Sequence, residues 1–231
     1  MLKNIIDKIR YRLFGMQHNL LSIPKTVYIN FNYFKFMEAI KFPIHMHYSV
    51  KLHDMEGSVV LTSKPKFGSV SIGFPFISAL PAKNSKWNVT GKVILGEKVY
   101  IGTGSVIDVS DEGELHMGNN FCCGGHSTII CNKKIEFGDG CIVSWDNLFL
   151  DNDYHKIYSL ETETIINQPK EIIFGDKVWI GCRCTFLKGA KIGNGCIVGA
   201  NSLIHNEIEG DNIMVGGNPA KILKQKVRWE A

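Results

Sequence analysis

The stretch FGDKVWIGCRCTFLKGAKIGNGCIVGANSLI, residues 174–204, repeats a simple pattern every six residues. One residue in each group of six is bulky and apolar, and the residue after it is Gly in four of the first five groups. A period of six fits neither an α-helix nor the two-residue alternation of a single strand. It does fit a short strand followed by a tight turn, because Gly tolerates the backbone angles of such turns. The apolar positions are Phe174, Ile180, Phe186, Ile192, Val198 and Ile204.

The same period continues upstream, through Leu95–Ile107, Met117–Ile129 and Phe137–Phe149. Three strand-and-turn units make one coil of about 18 residues. Stacked coils turn their apolar residues inward and pair their backbones in parallel. The sequence therefore predicts an all-β fold, a parallel β-solenoid of hexapeptide repeats over residues 91–220.

The largest break in the repeat lies between Phe149 and Phe174, which are 25 residues apart instead of six. We expect an inserted loop over residues 150–172, and long insertions in solenoids often form the binding face. This loop begins with Asp151, Asp153 and His155. From the residues alone, the segment is either an ordinary polar loop or the reactive end of an enzyme.

The flanks of the repeat carry weaker patterns. Residues 1–14 have apolar side chains at helical spacing with basic residues between them, which predicts an amphipathic N-terminal helix. Such a helix packs on the solenoid or a neighbouring subunit, or else contacts a membrane surface. The rest of residues 1–90 is strand-rich and irregular, and we expect it to start and cap the solenoid. The basic tail, residues 221–231, predicts a short C-terminal helix.

The composition of the 231 residues is that of a globular protein, with 45% hydrophobic and 21% charged residues. A net charge of +4 is too small to argue for a nucleic-acid partner. No apolar run is long enough for a transmembrane helix, and the N-terminus is not typical of a signal peptide. The seven cysteines do not form a disulfide framework, so we expect a reducing cytoplasm. Three of them, Cys141, Cys184 and Cys196, occupy small-residue positions of the repeat, which favours a packing role.

Two segments make the chain similar to a known family. VWIGCRCTFLKGAKIGNGCIVGANSLI with VGGNPAKILK, residues 178–204 and 215–224, resembles the C-terminal signature of the hexapeptide-repeat acyltransferases. GDGCIVSWDNLFLDNDYHKI, residues 138–157, resembles the segment that carries their catalytic histidine. The resemblance covers roughly residues 93–228 and extends to maltose, galactoside and polysaccharide O-acetyltransferases.

The resemblance implies a left-handed parallel β-helix and a homotrimer with active sites between subunits. It implies acetyl-CoA as the acyl donor, a sugar hydroxyl of a surface polysaccharide or its precursor as the acceptor, and direct attack assisted by a histidine base. The alternatives are N-acetylation of an amino sugar, a metal-dependent hydratase of the γ-carbonic-anhydrase kind, and a non-catalytic binding solenoid. No metal is expected, because the central histidines lack the spacing of the hydratase motif. The scattered cysteines favour a cytoplasmic location, and the amphipathic N-terminal helix leaves open a peripheral contact with the inner face of the membrane.

On the acceptor side, the resemblance aligns His155 with the catalytic base. Asp153 is expected to orient its imidazole, and Asp151 is expected to be either a sugar ligand or a solvated acid. His126 aligns with an acceptor-site position and is equally compatible with a structural role. Trp145 is either a sugar platform or a stacked solenoid residue.

On the donor side, the resemblance implies that coenzyme A lies along the C-terminal coils. Cys182 and Ala200 match positions whose backbone meets the pantetheine arm. Lys221 and Lys224 match basic positions near the phosphates, where an ammonium acts as a point charge. Trp179 lines the donor channel or covers a corner of the coil.

Overall fold

The computed structural model of the chain describes residues 20–75 and 77–230, so the helix expected at residues 1–14 lies outside the described residues. Within this part, helix α1 includes residues 20–33 and helix α2 spans Phe36–Ala39. The strands that follow are β1 (Ile44–Met46), β2 (Lys51–Leu52), β3 (Ser58–Leu61), β4 (Val70–Phe74), β5 (Lys86–Val89), β6 (Lys92–Leu95), β7 (Val99–Gly102), β8 (Val106–Val109), β9 (Glu114–Met117), β10 (Cys122–Gly125), β11 (Thr128–Cys131), β12 (Lys134–Phe137), β13 (Ile142–Trp145), β14 (Leu148–Leu150), β15 (Ile172–Phe174), β16 (Trp179–Ile180), β17 (Thr185–Leu187), β18 (Lys191–Ile192), β19 (Ile197–Val198), β20 (Leu203–Ile204), β21 (Glu207–Ile208), β22 (Met214–Gly217) and β23 (Ala220–Lys224).

These strands form three sheets that run along the molecule. One sheet has the order β1-β4-β7-β10-β13-β16-β19-β22-β23, the second β2-β5-β8-β11-β14-β17-β20, and the third β21-β18-β15-β12-β9-β6-β3. From β1 to β22, each strand pairs in parallel with the strand three places later in the chain. The described chain is therefore a three-sided parallel β-helix, and the predicted all-β solenoid is confirmed.

The core is the column of apolar residues that the six-residue period predicts. Phe174, Ile180 and Phe186 are all buried. Equivalent residues stack from coil to coil. The ring centroids of Phe137 and Phe174 lie 4.9 Å apart with an interplanar angle of 3°. Those of Phe149 and Phe186 lie 5.0 Å apart with an interplanar angle of 4°. Parallel pairing brings equivalent positions into register, so identical side chains stack along the axis.

One corner of the helix explains why Gly follows the apolar residue. A Cβ on Gly138 would lie 2.6 Å from the backbone of Gly175 in the next coil, so no larger residue fits there. Beside these glycines, Asp139 accepts a hydrogen bond from the backbone N–H of Asn119 at 2.7 Å, and Asp176 accepts one from Asp139 at 2.7 Å. The corner therefore joins successive coils through side chains as well as through backbone pairing.

Residues 44–90 already belong to the three sheets, through β1 to β5. The sheets continue across residue 91 without a break in their order. A separate N-terminal region with a boundary at residue 91 stays a prediction. Among the described helices, none has the length and apolar character needed to cross a bilayer.

The C-terminal segment differs from the expectation of a short helix. It forms strand β23, which pairs antiparallel with β22 after a turn at Asn218 and Pro219. β22 lies at the end of the nine-stranded sheet, where its backbone groups would otherwise be unpaired. Pairing of this edge stabilises a strand in a segment whose local sequence also suits a helix.

Candidate active site

A polar cleft of about 590 Å³ lies where the inserted loop leaves the β-helix. One wall comes from the turn between β8 and β9, and the other from the inserted loop. His155 lines this cleft and is exposed. The lining residues are Ser110, Asp111, Glu112, Asn132, Asn152, Asp153, Tyr154, His155, Lys156, Ile165, Asn167, Gln168 and Pro169.

Asp151 anchors the start of the loop. Its carboxylate is fully buried and accepts hydrogen bonds from three backbone N–H groups of the turn before β12, at 2.7–2.9 Å. These donors belong to residues 132–134 of the preceding coil. A buried carboxylate with three such partners is held in place by them. The structure therefore assigns Asp151 a structural role in place of the sugar contact considered from the sequence.

Asn152 turns the chain outward. Its side-chain oxygen accepts a hydrogen bond from the backbone N–H of Tyr154 at 2.7 Å, and its amide donates to Asn132 Oδ1. Tyr154 has a φ of 60°, a left-handed conformation that is uncommon outside Gly. Because Asn152 is buried and Tyr154 and His155 are exposed, this turn directs the following residues away from the core.

Asp153 does not contact the imidazole of His155, which corrects the expected orienting role. Its Oδ2 accepts hydrogen bonds from Lys188 Nζ at 2.5 Å and from Asn167 Nδ2 at 2.8 Å. The hydrogen bond from the Lys188 ammonium, together with that from Asn167, holds the pKa of the Asp153 carboxyl below its usual value. Asp153 is therefore an ionised group that ties the loop to the coil after it.

Asn167 connects this ion pair to the backbone of His155. Its amide also donates to the His155 carbonyl at 2.7 Å, and its Oδ1 accepts from the Ile157 N–H at 2.7 Å. Lys188 in turn donates to the Asn167 carbonyl at 2.9 Å. In the part of the chain that the structure describes, neither ring nitrogen of His155 has a hydrogen-bond partner. The backbone of His155 is fixed while its imidazole stays free to act in the cleft.

Sequence reasoning missed Lys188 and Asn167, although the repeat contains a signal for the first. Phe149 and Phe186 occupy equivalent positions in successive coils. The residue two places after Phe186 must therefore lie beside the point where the loop leaves, and that residue is Lys188. Asn167 has no comparable signal, because it lies in the loop itself.

His126 and Trp145 do not line the cleft. The His126 side chain is only 5% exposed, with Nε2 at 2.8 Å from the Pro81 carbonyl oxygen and Nδ1 at 3.6 Å from Asp146 Oδ1. These contacts favour the structural alternative for His126. Trp145 is half-buried at the end of β13, and its carbonyl accepts a hydrogen bond from the Arg183 N–H at 3.0 Å. Sugar contacts by either residue stay predictions.

The residues expected to hold the donor lie on later coils, away from the cleft. Trp179 is half-exposed and its ring lies 6.1 Å from that of Trp229. Asn201 donates its backbone N–H to the Cys182 carbonyl at 3.0 Å, which joins two successive coils beside the exposed Ala200. Trp229 was not anticipated, because the tail was expected to be helical.

Lys221 and Lys224 are both exposed on β23. Neither forms an ion pair with any other described residue. Two unpaired ammonium groups on one short strand suit an anionic group such as a phosphate. Contact with coenzyme A stays a prediction for all of the donor-side residues.

The cysteines are all free, and Cys141, Cys184 and Cys196 are buried as expected. Burial raises the pKa of Cys122 and Cys141 to about 11. Such thiols are poor nucleophiles near neutral pH. Among residues 20–75 and 77–230, no three His, Cys, Asp or Glu side chains form a group suited to a metal ion.

Comparison with known proteins agrees with the repeat. Residues 171–206 match the model of the bacterial transferase hexapeptide, described as six repeats. Within residues 171–206 the chain is therefore similar to the hexapeptide repeat of bacterial transferases. The predicted resemblance to hexapeptide-repeat acyltransferases is confirmed, because the similar curated proteins are named acetyltransferases.

Two of these proteins show how far the similarity extends. The chain is 30% identical over 142 residues to a probable acetyltransferase of Mycobacterium tuberculosis, covering 59% of this chain and 46% of that protein. It is 36% identical over 118 residues to a polysialic acid O-acetyltransferase of Neisseria meningitidis, covering 51% of this chain and 53% of that protein. The matched region thus spans about half the length of these curated relatives.

The fold is also similar to that of a solved structure. A polysialic acid O-acetyltransferase superposes with a TM-score of 0.54 at 23% identity, covering 78% of this chain and 90% of that chain. At this identity the likeness concerns the fold. Together with the parallel sheets and the hexapeptide match, it confirms the predicted left-handed parallel β-helix.

Proposed function

We propose that the protein transfers an acetyl group from acetyl-CoA to a hydroxyl group of a saccharide, with His155 as the general base. The observation that carries this proposal is the free imidazole of His155 in an open polar cleft, on a backbone held by Asn167. An imidazole can accept a proton near neutral pH, and a base needs access to the proton that it removes. The acetyltransferase relatives support acyl transfer as the reaction class.

The reaction needs one base and no covalent intermediate on the protein. A ring nitrogen of His155 takes the proton of the acceptor hydroxyl while the hydroxyl oxygen attacks the thioester carbonyl. The tetrahedral intermediate then collapses, the carbon–sulfur bond breaks, and the thiolate of coenzyme A leaves. The imidazolium returns its proton to that sulfur. The acetyl ester and free coenzyme A are the products.

The lining of the cleft supports a saccharide acceptor. Asp111, Glu112 and Gln168 are exposed there and offer several acceptors and donors to hydroxyl groups. Tyr154, next to His155, is 64% exposed and presents a ring of the kind that packs on a sugar. The name of the Neisseria meningitidis relative, a polysialic acid O-acetyltransferase, supports the same acceptor class.

The proposal includes a homotrimer with active sites between subunits. The donor-side residues Trp179, Cys182, Ala200, Lys221 and Lys224 do not line the cleft around His155 within one chain. A neighbouring copy would supply them to that cleft, and coenzyme A would lie along its C-terminal coils. The proposal also places the protein in the cytoplasm, where its seven free thiols match a reducing compartment.

The test mixes the purified full chain with acetyl-CoA and a panel of oligosaccharides and amino sugars, and measures release of the coenzyme A thiol. We expect release that depends on an oligosaccharide acceptor. His155→Gln should lower kcat by about 10²–10⁴-fold, the usual contribution of a general base. The matched control is His116→Gln, because His116 lies on β9 and its Nε2 is bonded to Glu114 at 2.7 Å.

The product distinguishes the acceptor atoms, because hydroxylamine cleaves an ester and leaves an amide intact. A hydroxylamine-stable product would replace O-acetylation by N-acetylation of an amino sugar. Normal turnover by His155→Gln would contradict the mechanism. No coenzyme A release with any acceptor, and no binding of coenzyme A by calorimetry, would contradict the enzyme proposal and favour a binding solenoid.

A further inference from the structure

Helix α1 is built with its polar side toward the protein. Ser22, Thr26 and Asn30 are buried against β1 and the turn after it. Asn30 donates to the Ile44 carbonyl at 2.7 Å and accepts from the Ile44 N–H at 3.1 Å. Thr26 accepts from the Met46 N–H at 3.1 Å. Hydrogen bonds to backbone, together with the buried Ile29, attach this helix to the solenoid.

The opposite side of α1 is apolar and exposed, the reverse of an ordinary surface helix. The exposed large apolar residues continue from α1 onto α2, where Met37 is 68% exposed, and onto Phe67, which is 71% exposed. We call this surface the N-terminal apolar face. Its residues are Leu20, Leu21, Ile23, Val27, Tyr28, Phe31, Phe36, Met37, Ile40 and Phe67.

Contacts join these residues into one surface. The ring of Phe31 lies 6.1 Å from that of Phe36, which connects α1 to α2. A pocket of about 270 Å³ lies between α1 and Phe67. It is lined by Ile23 and Val27 of α1 and by the rings of Phe42, Phe67 and Phe74. Contiguous exposed apolar surface of this kind marks a protein-interaction or membrane-interaction site.

The charges around the face decide between these occupants. Lys35 and Lys41 flank the exposed apolar residues of α2, and Lys64 precedes Phe67 by three residues. All three lysines are exposed, and none forms an ion pair with any other described residue. Lysine is depleted in protein–protein interfaces. Beside a bilayer, its long side chain lets the ammonium reach anionic headgroups while apolar neighbours insert.

The net charge is distributed unevenly along the chain, and the positive part is the part that carries the apolar face. Residues 1–67 contain ten Lys and Arg against four Asp and Glu, a net charge of +6. The remaining residues contain sixteen Lys and Arg against eighteen Asp and Glu, a net charge of −2. Residues 1–67, which include the N-terminal apolar face, are therefore the part of the chain that an anionic surface attracts. Glu38 is an acidic residue within the face, on α2.

We propose that the N-terminal apolar face docks on the surface of an anionic lipid bilayer. The apolar side chains of α1, α2 and Phe67 enter the headgroup region, and the flanking lysines contact phosphate groups. The solenoid then extends from the membrane surface. This role is independent of the chemistry at His155, and the binding assay tests it without any substrate.

Co-sedimentation of the full chain with vesicles tests the proposal. The vesicles contain phosphatidylcholine alone, or phosphatidylcholine with about one third phosphatidylglycerol. We expect binding to the anionic vesicles, little binding to the neutral ones, and release as salt rises from about 0.1 M to about 1 M. Phe36→Ser/Met37→Ser and, separately, Lys35→Glu/Lys41→Glu should each lower the partition coefficient about tenfold or more.

The matched control is Leu160→Ser/Ile166→Ser, which removes two exposed apolar side chains from the inserted loop. It should leave vesicle binding unchanged. The proposal is overturned if the chain does not bind anionic vesicles, or if the two Phe36 and Met37 substitutions leave binding intact. A molar mass that falls in Phe36→Ser/Met37→Ser by light scattering, without vesicle binding by the unsubstituted chain, would show that the face joins copies of the chain.

Discussion

The coil that ends at Leu150 and the loop that begins at Asp151 are neighbours in sequence and are stabilised by different contacts. The coil pairs with the coils on both sides, Ile129 with Phe149 and Phe149 with Phe186, and stacks its rings in the core. The loop has one isolated bridge, between Tyr158 and Ile165, a few backbone hydrogen bonds such as that from the Lys170 N–H to the Asp151 carbonyl, and the polar side-chain contacts of Asp153. The comparison separates a rigid scaffold from a segment whose position rests on single residues.

The scaffold should be most sensitive to loss of a stacked ring. Phe149 is fully buried and contacts the rings of Phe137, Phe174 and Phe186. Phe149→Ala should lower the free energy of unfolding by about 3–5 kcal/mol, because a cavity remains in a packed core. Chemical denaturation measures this value. Leu160→Ala, at a residue 94% exposed in the loop, should change it by less than about 0.5 kcal/mol. Similar losses in both variants would contradict the separation of scaffold and loop.

The two aspartates at the start of the loop should respond differently to the same substitution. Asp151→Asn places an amide beside three buried N–H donors and should cost about 2–3 kcal/mol of unfolding free energy. Asp153→Asn weakens a partly exposed ion pair, keeps a polar group at the position, and should cost less than about 1 kcal/mol. The effects on turnover should have the opposite order. In the folded fraction of each variant, Asp153→Asn should lose more transfer activity than Asp151→Asn. Equal effects on stability would show that Asp151 is not the buried anchor.

The loop should open when its central amide is removed. Asn167→Ala loses the hydrogen bonds to Asp153, to the His155 carbonyl and from the Ile157 N–H. Each such bond contributes about 1 kcal/mol or less net, so local opening should increase about tenfold. The measurement is the rate of tryptic cleavage after Lys156, with Thr164→Ala as the control. Unchanged cleavage would mean that Asn167 does not hold the loop.

Much of the scaffold follows from the sequence, because its signal is repeated. The apolar residue of each group of six identifies the inward position, and the spacing from Phe149 to Phe174 locates the inserted loop. Strand β23 could not be predicted in this way, since its stability comes from the open edge of β22 and not from its own residues. Residues 20–33, in a region that the sequence predicted to be strand-rich, form helix α1 instead, because Thr26 and Asn30 on this helix are satisfied by the backbone of β1.

The candidate site was predictable in its position and less so in its internal contacts. The break in the repeat indicated where His155 lies. Asp151 and Asp153 have the same chemistry two residues apart, and their roles depend on partners 14–35 residues away in the chain. One faces the backbone of the preceding coil and the other faces Lys188 of the following coil. Only the register between three coils distinguishes them.

The most direct test of the account measures turnover and stability together in Lys188→Met, with Lys191→Met as the matched control. Lys188 Nζ contacts both Asp153 and Asn167. Lys191 Nζ instead lies 3.6 Å from Glu207 Oε2, on the next strand of its sheet. The account predicts that Lys188→Met lowers kcat about tenfold or more, because a small displacement of a general base has an effect of this size. The KM for acetyl-CoA and the thermal midpoint should stay close to those of the unsubstituted chain, and Lys191→Met should leave kcat unchanged. Full kcat in Lys188→Met would contradict the claim that this side chain positions His155.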